Sequence, residues 1–126
     1  VVHTSAGADP GRRAEVEEFA EVILAGGERV EPEQAMRALS DRGHGVVLCE
    51  GGPTWLGELV AADRLDELLL SISPMMGGDP LPVSVTPPGT GIARFDLKGV
   101  MAEDGTIFLR YEAAADQAAT GERSDR

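Results

Sequence analysis

Val46-Val47-Leu48-Cys49-Glu50-Gly51-Gly52-Pro53-Thr54-Trp55-Leu56 is an apolar run of strand length that passes through a glycine pair and a proline into a helix-forming stretch. A short apolar run bounded by Gly and Pro is the pattern of a strand buried on both faces. Gly51 and Gly52 permit unusual backbone angles and let a ligand come close to the main chain. Pro53 suits the first helical position, where its missing N–H is not needed. Beyond it, the free N–H groups and the positive end of the helix dipole make a site for an anion such as a phosphate. The stretch reads as a nucleotide-binding strand–turn–helix, an arrangement that many turns share without binding anything.

The regions on either side extend this pattern. Upstream, Val1-Val2-His3-Thr4 is β-prone, and Asp9 is placed to cap a helix that opens at Pro10. Residues 21–25 predict a second strand closed by Gly26-Gly27. Pro32 opens a helix to about residue 42, with Gly43 as its stop. Downstream, the helix from 53 to about 62 carries Trp55, Leu56, Leu59 and Val60 on one stripe. Residues 66–73 predict a strand with Leu68, Leu70 and Ile72 on one face. Alternating strands and helices imply a parallel sheet with helices on its faces.

The pattern changes at Pro74. Residues 74–91 are rich in Gly and Pro and predict an ordered loop if they line a site. Two strands follow, near 92–103 and 106–113, joined by the hairpin signal Asp104-Gly105. Both faces of that hairpin carry apolar residues, so either both are covered or Gly99 marks a bulge. Residues 114–126 have no periodicity and are expected to be a flexible tail; residues 1–113 are expected to be one domain.

Composition narrows the function. A net charge of -11 over 126 residues argues against nucleic acid as a general partner, which demands a basic footprint. The single Cys49 excludes a disulfide framework and fits a reducing, cytoplasmic setting. No run of about twenty apolar residues predicts a membrane span. The chain begins at Val1, already strand-like, so it is expected to be part of something longer. His3 and His44 have no suitably spaced partners, so no metal site is expected. Asp66-Glu67 reads as a cap for the preceding turn rather than an acid–base pair. Phosphate-cradling turns remain: Gly51-Gly52-Pro53-Thr54, and Gly77-Gly78 after the next strand. In an open α/β sheet both lie at the strands' carboxyl ends, where ligands bind.

The series Val47-Leu48-Cys49-Glu50-Gly51-Gly52-Pro53-Thr54, Leu59, Asp63-Arg64-Leu65-Asp66-Glu67-Leu68, Ser73-Pro74 and Gly77-Gly78 resembles the reductase domain of the bacterial riboflavin-biosynthesis deaminase–reductase. The resemblance implies an α/β, three-layer, dihydrofolate-reductase-like fold. Its central sheet is mostly parallel, with helices on both faces, a closing antiparallel hairpin, and first strands that precede Val1. It implies an NADPH-dependent reductase that converts the ribosyl group of 5-amino-6-(5-phosphoribosylamino)uracil, a phosphorylated pyrimidine, to ribityl. Carried over, Gly51, Gly52, Pro53 and Thr54 receive the cofactor's pyrophosphate. Thr4 and Ser5 lie near its adenosine ribose and 2′-phosphate. Glu50 sits at the substrate–nicotinamide junction, where it orients substrate or moves a proton; a carboxylate held by backbone N–H groups is its plainer role. Arg12 and Arg13 are candidates for the 2′-phosphate, a solvated helix face being the more common role for such a pair. The family's Ser-Leu-Asp-Gly-like strand end and later Gly-x-x-Thr are absent, so this chain is expected to hold the cofactor-phosphate half of the site and to be inactive alone. The resemblance also implies a homodimer. Reduction of another substrate such as a dihydropterin, and a non-catalytic nucleotide-binding or assembly module, are the alternatives.

Overall fold

The computed structural model describes residues 1–79 and 81–115. The chain divides into two compact units, Val1–Gly52 and the residues from Pro53 onward.

In the first unit, β1 (Val2–Thr4) and β2 (Val22–Leu24) pair in parallel, joined by α1 (Pro10–Glu17), and α2 (Pro32–Ser40) follows. Each boundary has a local cause. The Asp9 carboxylate accepts the Arg12 N–H at 2.8 Å and so caps α1 ahead of Pro10. Gly26 ends β2 at φ +134°, and a Cβ there would fall 2.1 Å from the Arg29 carbonyl oxygen, so this turn requires glycine. Gly43, at φ +85°, ends the turn that follows α2, as expected. Arg42 reaches back to pair with Glu21.

In the second unit, α3 (Pro53–Ala61) precedes β3 (Glu67–Ile72), β4 (Phe95–Glu103) and β5 (Thr106–Ala113), which form an antiparallel sheet in the order β3-β5-β4. Asp104 and Gly105 take φ +48° and +77°, the two left-handed residues that a tight hairpin turn demands. The ladder slips between Leu97 and Gly99, leaving Lys98 as the extra residue of a bulge. The bulge explains the two-sided apolar pattern of the hairpin. It returns Val100 to the face of Leu97, so that Phe95, Leu97, Val100 and Ala102 lie opposite Ala113, Tyr111, Leu109 and Ile107. Leu68, Leu70 and Ile72 of β3 complete the same face through their pairing with Tyr111, Leu109 and Ile107. Ala114 still donates to the Arg94 carbonyl at 3.0 Å, and the rest of the expected tail, 116–126, lies outside the described residues.

Three expectations are corrected. Residues 46–49 form no strand, and Val46 and Leu48 are 91 % and 76 % exposed. Cys49 is exposed with them rather than buried. A strand has no hydrogen bonds of its own, and among the described residues none pairs with this run. The sheet is also not mostly parallel: β1 and β2 make the one parallel pair among the described residues, whereas β3 runs antiparallel to β5. Strand–helix alternation fixes direction only when successive strands share a sheet. β3 instead joins the hairpin, whose β5 offers a matching apolar register. Among the described residues Ala25, Ala35 and Leu59 are buried apolar side chains, and Pro32 at the start of α2 is buried with them.

Candidate functional site

Thr4 and Ser5 leave β1 beside the Gly26-Gly27 turn. The Thr4 carbonyl accepts the Ala25 N–H at 2.8 Å, and Ala6 and Gly7 donate to the Gly26 and Gly27 carbonyls at 2.9 and 2.8 Å. The ladder thus continues past the end of the strand and holds this corner rigid. Ser5 is buried within it and Thr4 half-buried. Next to the corner, between β1, β2 and α1, lies a groove of about 360 Å³. Val2, Val16 and Val22 line it, with Asp9, Arg12 and Arg13 along its polar part. Arg13 is also engaged by Glu17 at 3.8 Å, one helical turn on.

Glu50, Gly51 and Gly52 form an exposed run without regular structure, and Pro53 and Thr54 open α3. Neither Gly51 nor Gly52 takes a positive φ. A Cβ on Gly52 would meet nothing within 4 Å, so no protein neighbour requires a glycine at that position. Gly77 and Gly78 do use left-handed angles, at φ +121° and +89°. His3 lies in β1 with its Nε2 buried and unpartnered, and His44 is exposed in a loop. Among the described residues no group of three or more His, Cys, Asp or Glu side chains is placed to hold a metal. No helix among them is long and apolar enough to cross a membrane.

Two features escaped the sequence. Glu67 is an ion-pair partner, not a cap: Arg110 Nη2 donates to its Oε2 at 2.6 Å and to Glu112 Oε1 at 2.7 Å across β3 and β5. The hydrogen bond from Arg110, foremost, and its charge hold the Glu67 carboxyl below the usual carboxylate range. Glu67, through its hydrogen bond and its charge, likewise raises Arg110, and Glu112 adds to this. The second is Gly57, buried in the middle of α3. A glycine inside a helix costs about 1 kcal/mol against alanine, and that cost was the one signal available in the sequence.

Residues 1–108 match the RibD C-terminal domain family. The chain belongs to that family. The match takes in the Thr4-Ser5 corner, the Glu50–Thr54 stretch and most of the hairpin. Among solved structures, a pyrimidine reductase-like protein from Corynebacterium diphtheriae resembles this RibD C-terminal domain with a TM-score of 0.74 at 22 % identity. The likeness covers 90 % of this chain and 49 % of that protein, so the chain spans about half of that protein's length. No curated protein matches the chain.

Proposed function

We propose that this RibD C-terminal domain supplies the cofactor-phosphate half of an NADPH-dependent reductase of the riboflavin type. Its substrate in this reading is 5-amino-6-(5-phosphoribosylamino)uracil, whose ribosyl group is reduced to ribityl. The observation that carries it is the open turn at Gly52, where a Cβ would find only free space, directly ahead of a helix start in a family-matched stretch. When bound, NADPH supplies the hydride. The chain's own residues bind and orient. Gly52, with Gly51 before it, leaves room for the pyrophosphate, and the free amides after Pro53, beginning with Thr54, donate to it. Thr4 and Ser5, held by the Gly26-Gly27 turn, present a rigid corner to the adenosine ribose and its 2′-phosphate. Glu50, exposed, is available to orient substrate or to move a proton. The reading includes a homodimer, supported by the half-exposed Leu97 and Val100 on the apolar face of the three-stranded sheet.

Titration with NADPH, followed by calorimetry or nucleotide fluorescence, tests the reading. Binding is expected in the native chain, with loss of at least about tenfold in affinity in Gly51→Val and Gly52→Val and no change in unfolding midpoint for the latter. Absence of binding at millimolar NADPH sinks it. A stable oligomer in sedimentation with no cofactor affinity would favour the assembly module instead.

A further inference from the structure

Gly57 is buried because backbone occupies the place of its missing side chain. A Cβ on Gly57 would fall 1.9 Å from the Val85 carbonyl oxygen, 2.3 Å from its carbon and 2.8 Å from Thr86 N. One helical turn earlier, the Val85 N–H donates to the Pro53 carbonyl at 2.9 Å. Val85 is therefore held on α3 through both of its peptide groups. Further along, the Thr90 hydroxyl and N–H both donate to the Pro87 carbonyl, at 2.7 and 3.2 Å, and Gly89 takes φ +83°. Those contacts fold residues 87–90 into a turn of their own.

We propose that residues 81–90 are a strap whose docking at Gly57 orients the first amide donor of the cofactor-phosphate site, making Gly57 and Val85 positioning residues. The inference rests on the pyrophosphate reading of that turn. Its physical core is the planarity of the peptide bond: the Pro53 carbonyl and the Thr54 N–H belong to one rigid unit and point in opposite directions. Fixing the carbonyl with the Val85 N–H therefore fixes the Thr54 N–H. Pro53 has no N–H of its own, so Thr54 carries the first donor that α3 offers. Two glycines precede Pro53, and glycine backbone is the freest of all, so the chain leading into the helix does little to hold that peptide. The first turn of α3 engages the Pro53 carbonyl from one side through its own ladder, and the strap adds a second donor that reinforces that restraint.

Coupling of this kind is reciprocal: if the docked strap favours an anion at Thr54, the anion must favour the docked strap by the same factor. The test uses two variants and two readouts. Gly57→Ala expels the strap by placing a methyl group in its path. Val85→Pro removes the donor, along with fixing φ at 85 and restricting Ser84, and leaves the α3 sequence intact, so it decides the matter if Gly57→Ala fails to fold. Each is expected to weaken NADPH binding about tenfold by calorimetry, within the usual 5- to 150-fold span of such couplings, with unchanged far-UV circular dichroism. In the native chain, NADPH or inorganic pyrophosphate is expected to slow hydrogen exchange at the Val85 N–H more than at the amides of the β4–β5 hairpin, an excess that a purely structural contact would not show. Native-like affinity in Val85→Pro, or Val85 exchange that the ligand slows no more than the hairpin's, overturns the strap's role and leaves the cofactor reading standing. Failure of the native chain to bind either ligand overturns both.

Discussion

Two apolar segments of this chain meet opposite fates. Residues 95–113 form nine- and eight-residue strands in one bulged ladder, whereas Val46–Cys49 are exposed and, among the described residues, pair with no strand. Hydrophobicity does not separate them. The hairpin carries its partner three residues away in sequence, through a turn whose two residues accept left-handed angles, so loop closure costs little. The run at 46–49 has no partner encoded beside it. β-structure is a property of pairs, and an apolar run states only that burial is favourable. The hairpin's residues are committed to one another, and among the described residues those of 46–52 have no such partners.

Breaking the hairpin at its turn should have the largest effect. Gly105→Val forces a β-branched residue to φ +77° and sets its Cβ 3.3 Å from Pro74 Cγ. A loss of about 1–3 kcal/mol is expected, the usual cost of a strained backbone residue. Urea unfolding followed by circular dichroism measures it as a lower midpoint at unchanged slope. A midpoint equal to the native one would mean that the turn does not set the ladder. Leu48→Asp probes the other segment. With Leu48 76 % exposed and no ladder to disturb, the expected change is within about 0.5 kcal/mol. A loss of several kcal/mol would show that 46–49 is buried in solution and that the contrast is false.

Local signals were the most legible part of the sequence. Asp9 and Pro10, Pro32, Gly43 and Asp104-Gly105 act through their own backbone angles or nearest neighbours, and each does what its chemistry predicts. The bulge at Gly99 was readable as one of two options, and register decided between them. Strand direction was not readable: whether β3 joins β2 or β5 depends on contacts some forty residues apart, which periodicity does not encode. The Glu50–Thr54 stretch was readable as a turn into a helix, because Pro53 does open α3. The other features of that helix were hidden. Nothing about Gly57 in sequence names Val85 as the group that fills its place, and nothing about Glu67 names Arg110.

The smallest expected effect concerns that ion pair, which fastens β3 to β5 and has no counterpart in 46–52. Glu67 titrates lower in the folded sheet than its ordinary value of 4.5, chiefly because Arg110 donates to its carboxylate. A depressed folded pKa means that the unfolded chain takes up the proton first. The contribution is therefore present above the unfolded value and is lost as pH falls through the folded one, with the slope set by the difference in bound protons. The pair is solvent-exposed and screened, so its share of stability is small. Urea midpoints collected from pH 6 down to pH 3 are expected to fall slightly less steeply in Glu67→Gln than in the native chain. Raising the ionic strength should shrink that difference further. Leu48→Asp, in the other unit, adds a carboxylate at an exposed position outside any strand and gives the reference for a carboxylate that is not part of the ladder. If Glu67→Gln and the native chain lose midpoint equally, the bond between Arg110 and Glu67 contributes nothing to holding β3, and the apolar register of Leu68, Leu70 and Ile72 alone recruits that strand to the hairpin.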